Sequence, residues 1–237
     1  MNWDDYDAVL FDLDGVITPT AEVHMRAWNR MFNAFLQGRE EPQEPYTDQD
    51  YFAYVDGKPR YDGVASFLKS RNIDIPQGDP TDSPDQETVG GLGNRKNDEF
   101  SQVLEDEGVV AYPGSVKLLE ALRERGMPMS IVSSSRNAPA VLEAAGVRDF
   151  FRDVMHGGEA EKRGLPGKPA PDTFLAAAQD LGADVARTVV LEDAHSGVAA
   201  GRAGGFGLVI GVDRGAGEQA LKDSGADVVV SDLEELL

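Results

Sequence analysis

Short apolar runs alternate with longer amphipathic segments through the second half of the chain. The apolar runs predict strands at residues 128–132, 154–155, 188–191, 206–210 and 227–230. The amphipathic segments between them predict helices at residues 115–125, 138–145, 171–181, 195–203 and 216–224. An earlier apolar run, residues 7–12, predicts a further strand near the N-terminus. Strands that alternate with helices in this way are typical of a parallel, doubly wound α/β sheet.

Between the first strand and this alternating part, the apolar positions have helical spacing. Residues 20–37 carry the clearest pattern, at Ala21, Met25, Trp28, Met31, Phe32 and Phe35. Residues 61–68 and the stretch that ends near Glu107 predict two more helices. Clusters of proline, glycine and acidic residues predict loops or breaks at residues 40–45, 76–84 and 90–94.

The predicted elements divide the chain into two domains. The first strand and the alternating part form an α/β core domain, residues 1–18 and 106–237, on a doubly wound parallel (Rossmann-like) sheet. The helical stretch between them forms an inserted all-helical domain, residues 19–105. A chain of 237 residues is long enough to bury a core in both domains.

The chain is strongly acidic, with 42 Asp and Glu residues against 22 Lys and Arg residues and a formal net charge of −20. This charge argues against a nucleic acid or an anionic membrane surface as the partner. An anionic substrate would need a local group of cations and backbone amides to offset the overall field. The chain contains no cysteine, which excludes disulfides, thiolate metal sites and cysteine nucleophiles.

The sequence also bears on localisation. No apolar run reaches transmembrane length, and the acidic stretch Met1–Asp5 is unlike a signal peptide. The lack of cysteine is compatible with a reducing compartment. We therefore expect a cytoplasmic protein with no nucleic-acid partner and no membrane partner. A monomer is a separate expectation that these features do not decide.

The first predicted strand ends in two carboxylates. The apolar run Ala8–Phe11 leads directly into Asp12 and Asp14, and Gly15 follows. Because residues i and i+2 of a strand point to the same side, the two carboxylates are expected to converge. Such a pair suits Mg²⁺ binding, with one carboxylate as nucleophile and the other as acid/base. The same pattern also fits a strand end that only caps a turn.

Other polar residues follow the later strands. The segment 133–137, Ser-Ser-Ser-Arg-Asn, follows one strand, the pair Glu192 and Asp193 follows another, and Lys168 lies in a proline-flanked turn between two strand–helix units. Ligands of open α/β sheets bind outside the carboxyl ends of the strands. Carboxylates there suit Mg²⁺, and lysine, serine and backbone amides suit a phosphate, so the set predicts phosphoryl transfer. The alternatives are helix capping by the serines or the acidic pair, and a solvated turn for the lysine.

These motifs resemble those of the haloacid dehalogenase superfamily of phosphotransferases over nearly the whole chain, and within it those of the β-phosphoglucomutases. The matching segments are Asp12–Thr18, Thr20–Trp28, Arg95–Asp98, Ser133–Asn137, Lys168–Phe174 and Leu191–Gly197. Arg60 lies near the position of a phosphate-binding arginine of that family. The resemblance implies that the helical insertion is a cap domain over an α/β core.

The resemblance also implies a role for each matching residue. Asp12 would be the nucleophile that forms an aspartyl-phosphate, and Asp14 would be the general acid/base. Ser133 and Lys168 would hold the transferring phosphoryl group. The implied cofactor is Mg²⁺, and its ligands would be Asp12, the Asp14 carbonyl, Glu192 and Asp193. The residues that would bind the partner, a small-molecule sugar phosphate, are His24, Trp28, Arg60, Lys96, Ser133, Ser134, Ser135, Arg136 and Asn137.

The implied reaction interconverts β-D-glucose 1-phosphate and glucose 6-phosphate through an aspartyl-phosphate and glucose 1,6-bisphosphate. A sugar-phosphate phosphatase with the same residues is an alternative, and a catalytically idle sugar-phosphate sensor is another. Pro19 stands where the mutases commonly have an acidic residue, at the expected hinge between core and cap. The loop at 76–84 and the stretch at 159–166 are longer than the family pattern. Trp28 also fits the apolar stripe of its helix, so core packing is a second interpretation of that residue.

Overall fold

The computed structural model describes residues 1–39, 41 and 43–237. Glu40 and Pro42 lie outside the described residues, and so does the part of the predicted break at 40–45 that falls on them. No helix within the described ranges is both long and apolar enough to span a membrane.

The chain forms two compact units. The larger unit contains Met1–Thr20 and Val109–Leu237, and the smaller unit contains Ala21–Gly108. The first unit boundary lies two residues beyond the predicted one at residue 18, and the chain returns to the larger unit three residues later than residue 106. The α/β part and the inserted helical part are therefore separate packing units.

The larger unit is built on a parallel sheet. In chain order its strands are β1 (Ala8–Phe11), β2 (Met129–Val132), β3 (Asp153–Met155), β4 (Thr188–Glu192), β5 (Leu208–Val212) and β6 (Val228–Val230). Across the sheet, the order over the described residues is β3-β2-β1-β4-β5-β6, with parallel neighbours throughout. The doubly wound parallel sheet predicted from the alternating pattern is confirmed.

The helices follow the same alternation. In chain order they are α1 (Thr20–Gln37), α2 (Asp48–Asp50), α3 (Arg60–Ser70), α4 (Val89–Glu107), α5 (Pro113–Glu124), α6 (Ala138–Ala144), α7 (Gly157–Lys162), α8 (Asp172–Leu181), α9 (His195–Ala203) and α10 (Glu218–Asp223). Helix α2 continues into a wider π-helical turn, Tyr51–Val55. From α5 onward, a strand follows almost every helix, as the pattern predicts.

The central strands are apolar because both faces of the sheet are covered. Every residue of β1, β2 and β4 is buried, which requires near-continuous apolar runs in a parallel sheet. Phe11 at the end of β1 lies opposite Ile131 in β2 and Leu191 in β4. The residues that follow these three strands are therefore brought to one edge of the sheet.

Helix α4 begins at Val89, so the predicted break at residues 90–94 is wrong. The hydroxyl of Thr88 caps the helix by accepting a hydrogen bond from the third helical N–H at 2.9 Å. A Cβ at Gly90 would overlap the carbonyl oxygen of Asp79. Glycine is therefore present because the preceding loop packs against the first turn, and the cap and this packing outweigh its low helix propensity.

Two further differences concern the larger unit. Helix α7 was not predicted, because it is short, begins with two glycines and buries only Ala160, so it has no apolar stripe. Strand β5 begins two residues later than predicted. Phe206 lies in the short connection before it, and its ring packs against Phe174 with centroids 6.0 Å apart, which explains the apolar residue there.

The smaller unit has an aromatic core. Trp28 and Phe32 of α1 stack with ring centroids 5.3 Å apart, and Phe32 lies 4.3 Å from Phe67 of α3 and 4.9 Å from Tyr46. Burial of such a side chain stabilises a fold by roughly 1.5–3 kcal/mol. The apolar positions that predict α1 are therefore the positions that form this core.

Candidate active site

The polar residues that follow β1, β2 and β4 meet at one edge of the sheet. The N–H of Asp12 donates to the Leu191 carbonyl at 2.9 Å, and the N–H of Ser133 bonds in the same way to β3 at 2.9 Å. Glu192 is the last residue of β4, and Asp193 follows it. Asp12, Ser133, Glu192 and Asp193 are all buried. The strand ends thus bring together the carboxylates and the hydroxyl that the sequence singles out.

Lys168 reaches this edge from the turn that precedes α8. It is 3% exposed, and its Nζ donates to Asp12 Oδ1 at 2.5 Å, to Glu192 Oε1 at 2.6 Å and to the Val132 carbonyl at 2.9 Å. The peptide bond between Lys168 and Pro169 is cis. Lys168 is therefore a buried cation between two carboxylates and not a solvated turn residue.

The charges around Asp12 are unbalanced. Burial raises the pKa of the Asp12 carboxyl well above its usual value, Lys168 opposes this rise, and Glu192 and Asp14 add to it. Burial alone would lower the pKa of the Lys168 ammonium, but the carboxylates of Asp12 and Glu192 outweigh burial and raise that pKa. Lys168 therefore stays charged, while the negative charge near Asp12 exceeds what one ammonium neutralises.

Asp14 lies in a loop that is closed by its own hydrogen bonds. The N–H of Gly15 donates to the Thr18 carbonyl at 2.7 Å, and the N–H of Thr18 donates to the Leu13 carbonyl at 3.0 Å. The hydroxyl of Thr20 donates to the Asp14 carboxylate, and the hydroxyls of Thr20 and Thr18 lie 2.8 Å apart. We refer to residues 13–18 as the Asp14 loop. Its hydrogen bonds hold the Asp14 carboxylate against the first residue of α1.

Gly15 meets two local requirements of this loop. Its φ of +84° lies in the left-handed region, which disfavours any residue with a Cβ. A Cβ at this position would also overlap the carboxylate of Asp193. The Asp193 carboxylate therefore lies directly against the backbone of the Asp14 loop.

Glu192 is the second carboxylate that contacts Lys168. Its Oε1 accepts from Lys168, and its Oε2 accepts from the N–H of Ala194 at 2.8 Å. A Cβ at Gly197 would overlap the same carboxylate, so α9 packs closely onto it. Both oxygens of Glu192 thus have donors within the protein.

The carboxylates at this edge suit a hard divalent cation. Asp12, Asp14, Glu192 and Asp193 offer the oxygen ligands that Mg²⁺ prefers. Burial is the main cause of the raised pKa of Asp12, and the carboxylates of Glu192 and Asp14 add to it, so a cation at this edge would favour the ionised form. Within the part of the chain that the structure describes, no three acidic or histidine side chains form a complete metal cage. Mg²⁺ is usually held by one or two carboxylates together with waters and substrate phosphate, and not by a cage made only of protein ligands. Both oxygens of Glu192 are already bonded, whereas Lys168 donates to one oxygen of Asp12 and the Asp193 carboxylate lies against Gly15, so these two carboxylates could hold the cation.

The segment 133–137 is a turn capped by its own hydroxyls. Ser133 Oγ accepts from the N–H of Ser135 at 3.1 Å, and Ser135 Oγ accepts from the N–H of Asn137 at 3.1 Å. The capping alternative is therefore present, and it holds Ser133 at the end of β2. The guanidinium of Arg136 donates to Glu161 of α7 on the protein surface.

Helix α7, which sequence reasoning missed, packs against this turn. The N–H of Gly157 donates to the Ser135 carbonyl at 3.2 Å, and a Cβ at Gly157 would overlap the carbonyl oxygen of Ser134. His156 caps the helix, with Nδ1 accepting from the N–H of Gly158 at 3.2 Å. Burial lowers the pKa of His156. The pair of glycines that follows His156, one residue after β3, was the one signal that pointed to this close approach.

Three predicted substrate residues lie together in the smaller unit. The Nζ of Lys96 contacts Nδ1 of His24 and lies 5.1 Å from the ring of Trp28. His24 stacks on Phe100 with centroids 4.0 Å apart, and Lys96 is 4% exposed. The structure brings His24, Trp28 and Lys96 into one cluster, although Trp28 is also part of the aromatic core.

Arg60 lies elsewhere in the same unit, at the start of α3. Its Nη2 donates to Asn97 Oδ1 at 2.6 Å, and its Nη1 lies 3.5 Å from Asn94 Oδ1. The amide nitrogen of Asn94 donates to the carbonyls of Pro80 and Asp82, at 2.9 Å each. Sequence reasoning missed Asn94 and its link to the loop, since nothing in the sequence indicates which helix residues face Arg60.

Comparison with known proteins identifies the family. The model of a family described as haloacid dehalogenase-like hydrolase matches residues 6–205. The chain belongs to the haloacid dehalogenase-like hydrolase family. The motifs at Asp12, Ser133, Lys168 and Asp193 all fall within the matched residues. The family predicted from these motifs is confirmed.

Several haloacid dehalogenase-like proteins resemble the chain along almost its full length. A β-phosphoglucomutase of Mycobacterium tuberculosis is 49% identical, and the alignment covers 97% of this chain and 91% of that protein. A β-phosphoglucomutase of Bacillus subtilis is 33% identical with the same coverage of each. A solved β-phosphoglucomutase structure from Clostridium difficile shares the fold, with a TM-score of 0.78, 24% identity and coverage of 98% and 93%. The chain is thus an enzyme of this family, a phosphomutase or a phosphatase.

Proposed function

We propose that the chain is a Mg²⁺-dependent β-phosphoglucomutase that interconverts β-D-glucose 1-phosphate and glucose 6-phosphate. The observation that carries the proposal is the 49% identity to a β-phosphoglucomutase, which extends through the inserted helical unit as well as the α/β unit. The buried Asp12–Lys168 pair supports it, because phosphoryl transfer needs a nucleophile next to a fixed positive charge. The proposed partner is a small-molecule sugar phosphate.

Asp12 is the proposed nucleophile. One of its carboxylate oxygens attacks phosphorus, so that a new O–P bond forms and the bond from phosphorus to the sugar oxygen breaks. The ammonium of Lys168, 2.5 Å from Asp12 Oδ1, offsets the negative charge of the phosphoryl group as it approaches. The hydroxyl of Ser133 can donate to a phosphoryl oxygen while its Oγ accepts from the turn.

Asp14 is the proposed acid/base. It gives a proton to the sugar oxygen that leaves and takes one from the sugar hydroxyl that attacks the aspartyl-phosphate. The hydrogen bond from Thr20 keeps its carboxylate in one orientation. Asp14 thus changes from ionised to protonated when a sugar hydroxyl attacks, and back to ionised when a sugar oxygen leaves.

Two transfers complete the proposed cycle. The phosphoryl group of aspartyl-phosphate passes to the C6 hydroxyl of β-glucose 1-phosphate and gives glucose 1,6-bisphosphate. Glucose 1,6-bisphosphate then reorients so that its C1 phosphate faces Asp12. The C1 phosphoryl group passes to Asp12, and glucose 6-phosphate is released. Each transfer forms one P–O bond and breaks one, so no water is consumed.

Mg²⁺, when bound, would supply positive charge that favours the ionised form of Asp12 and screens the phosphate. The residues proposed to hold it are Asp12, the Asp14 carbonyl and Asp193, with Glu192 beside them. In the smaller unit, Arg60 is proposed to bind the phosphate that is not being transferred. The cluster of His24, Trp28 and Lys96 is proposed to contact the sugar, together with residues 133–137.

A phosphatase that uses the same residues is the second candidate. Pro19, at the expected hinge, is the observation that favours it, since a mutase must exclude water from the aspartyl-phosphate. In the phosphatase, Asp14 would take its proton from water, and inorganic phosphate would be released.

One assay separates the two candidates. Purified protein is incubated with Mg²⁺, β-glucose 1-phosphate and a trace of glucose 1,6-bisphosphate, and glucose 6-phosphate and free phosphate are measured together. The mutase predicts rapid formation of glucose 6-phosphate with little free phosphate. Free phosphate as the main product would establish the phosphatase, and neither product would reject glucose phosphate as the substrate.

Two variants complete this assay. Asp12→Asn should abolish whichever activity is found, because it removes the nucleophile. Asp149→Asn, at an exposed position of the same unit, is the matched control and should leave the activity unchanged. A sensor without catalysis would show no product in either protein.

A further inference from the structure

Arg214 connects the far side of the sheet to the Asp14 loop. It lies two residues after β5, and its Nε donates to the carbonyl of Gly15 at 2.8 Å. Its Nη1 donates to the carbonyl of Ser231 at 2.8 Å. The guanidinium carbon lies 4.0 Å from the ring centroid of Tyr112. One side chain thus contacts three segments that are remote from one another in sequence.

Tyr112 is itself bonded to the Asp14 loop. Its N–H donates to the Ile17 carbonyl at 2.9 Å, and the hydroxyl of Ser115 donates to the Val16 carbonyl at 2.7 Å. Gly15 and Tyr112 lie on the two stretches by which the chain leaves the larger unit after Thr20 and returns to it at Val109. Arg214 therefore contacts both stretches within the larger unit.

The turn that carries Arg214 is fixed by hydrogen bonds of Asp213. The N–H of Asp213 donates to the Val230 carbonyl at 2.8 Å, and Asp213 Oδ1 accepts from the N–H groups of Gly215 at 2.9 Å and Gly217 at 3.1 Å. The guanidinium therefore projects from a fixed base. An arginine that spans two carbonyls and stacks on a ring uses the planar geometry that a lysine lacks.

The choice of partners is informative in so acidic a chain. The sequence contains 42 carboxylate residues, and yet, over the described residues, the guanidinium of Arg214 bonds only to backbone carbonyls. Other arginines of the larger unit, such as Arg187 and Arg202, pair with exposed carboxylates. The hydrogen bonds of Arg214 thus fix the backbone and do not balance surface charge.

We propose that Arg214 is a positioning residue for Asp14. By holding the Gly15 carbonyl, it keeps the adjacent Asp14 carboxylate at the place where it can exchange a proton with the sugar oxygen. The inference rests on the proposed function in so far as Asp14 is the acid/base. It predicts that loss of Arg214 impairs the proton-dependent part of phosphoryl transfer and spares the rest.

The leaving group distinguishes these two parts. A sugar oxygen is a poor leaving group and needs a proton from Asp14, whereas the acetate of acetyl phosphate leaves without one. When acetyl phosphate phosphorylates Asp12, the Asp12 O–P bond forms, the bond from phosphorus to acetate breaks, and acetate carries away the electron pair. This step depends on Asp12, Ser133, Lys168 and the proposed Mg²⁺ site, but not on the acid.

The test compares Arg214→Gln and Arg214→Lys with the wild-type enzyme on both compounds. In Arg214→Gln, we expect kcat with β-glucose 1-phosphate to fall about 10²-fold, as for a misplacement of about 1 Å. The rate of Asp12 phosphorylation by acetyl phosphate, followed by rapid quench, should stay nearly unchanged, because acetate leaves without a proton from the acid. Arg214→Lys should recover part of the loss, and Arg202→Gln, which removes an exposed ion pair, should affect neither rate. Equal losses on both compounds, or no loss on either, would overturn the proposal.

A second measurement does not depend on activity. Amide hydrogen exchange of the wild type and Arg214→Gln should differ at Gly15 and Thr18, whose N–H groups are bonded within the loop, and not in the central strands. Uniform acceleration, or none at Gly15 and Thr18, would overturn the proposal. If the wild type turns over no sugar phosphate, the proposed function fails, and this comparison alone decides on Arg214.

Discussion

The ammonium of Lys168 lies between the carboxylates of Asp12 and Glu192, 2.5 Å from one oxygen of the first and 2.6 Å from one oxygen of the second. All three side chains are almost fully buried. A buried charge that loses its partner is strongly destabilising, whereas an exposed pair contributes little. The ion triad therefore couples the stability of the larger unit to its chemistry.

Lys168→Met should lower the free energy of unfolding by about 3–5 kcal/mol, because it leaves two buried carboxylates without a cation. Adding Glu192→Gln to that variant should recover part of the loss, since one unpaired charge is then removed. Denaturant titration measures both effects. Lys117→Met, which removes an exposed pair with Glu234, should cost less than about 1 kcal/mol. A loss of that small size in Lys168→Met would contradict the buried triad.

Gly15→Ala should reduce activity far more than stability. Gly15 and Gly126 both have positive φ, but a Cβ at Gly126 would meet no atom within 4 Å, whereas one at Gly15 would overlap the Asp193 carboxylate. Each substitution should cost about 1–2 kcal/mol for the backbone. Only Gly15→Ala should also lower kcat, by about 10²-fold, because Asp193 is displaced. Equal kcat values for the two variants would show that the contact with Asp193 is not needed.

Mg²⁺ should stabilise the protein through Asp193. A ligand present at about 100 times its Kd stabilises the folded state by about 2.7 kcal/mol. We expect thermal unfolding to shift upward with Mg²⁺ in the wild type and in the exposed control Asp149→Asn, and to shift little in Asp193→Asn. An equal shift in all three proteins would place the cation elsewhere.

Asn94→Ala should weaken sugar-phosphate binding without touching the α/β unit. Its amide joins the carbonyls of Pro80 and Asp82 to the side chain of Arg60. Loss of this support should raise KM for the sugar phosphate about tenfold, equivalent to about 1.4 kcal/mol. Phosphorylation of Asp12 by acetyl phosphate should be unchanged. Gln102→Ala, on the exposed face of the same helix, is the control, and a similar KM in both variants would remove Asn94 from substrate binding.

His156→Asn should alter the dependence of stability on pH. Burial lowers the pKa of folded His156, although Glu159 and Asp153 act in the opposite direction. As the pH falls, His156 therefore binds a proton in the unfolded state before it does so in the folded state. The stabilisation is complete above the unfolded pKa of about 6.5 and is lost as the pH falls through that value toward the lower folded pKa.

Asparagine preserves the cap on α7 but does not titrate. The measurement runs from about pH 7.5 to about pH 5, the range in which histidine titrates. Over this range the melting temperature of the wild type should fall more steeply than that of His156→Asn. Parallel curves would contradict the lowered pKa.

The strand ends could be predicted from the sequence because each depends on a local pattern. An apolar run followed by Asp12, Ser133 or Glu192 is visible in a few residues, and parallel pairing then places all three at one edge. The contact between Lys168 and Asp12 spans 156 residues, and its partner atoms could be expected only through the family motifs. Local pattern thus predicts the edge of the sheet, and chain topology completes the site.

The remaining features depend on packing that a local pattern does not reveal. The first turn of α4 forms in spite of its glycines, because Thr88 caps it and the loop at Asp79 needs the space. Arg60 finds its amide partners 34 and 37 residues away, and Arg214 reaches Gly15 across 199 residues. No short-range signal marks such pairs, since each residue alone is typical of a surface helix or turn.

The hydrogen bond from the N–H of Tyr112 to the Ile17 carbonyl, at 2.9 Å, joins the chain just before its long excursion to the place where it comes back. The segment between Ile17 and Tyr112 is in effect a closed loop, because this hydrogen bond joins its ends. The entropic cost of closing a loop grows only slowly with its length. Residues can be inserted, deleted or exchanged between these ends at little expense to the sheet. The helical part can therefore change in sequence and length while the polar residues at the carboxyl edge of the sheet keep their places.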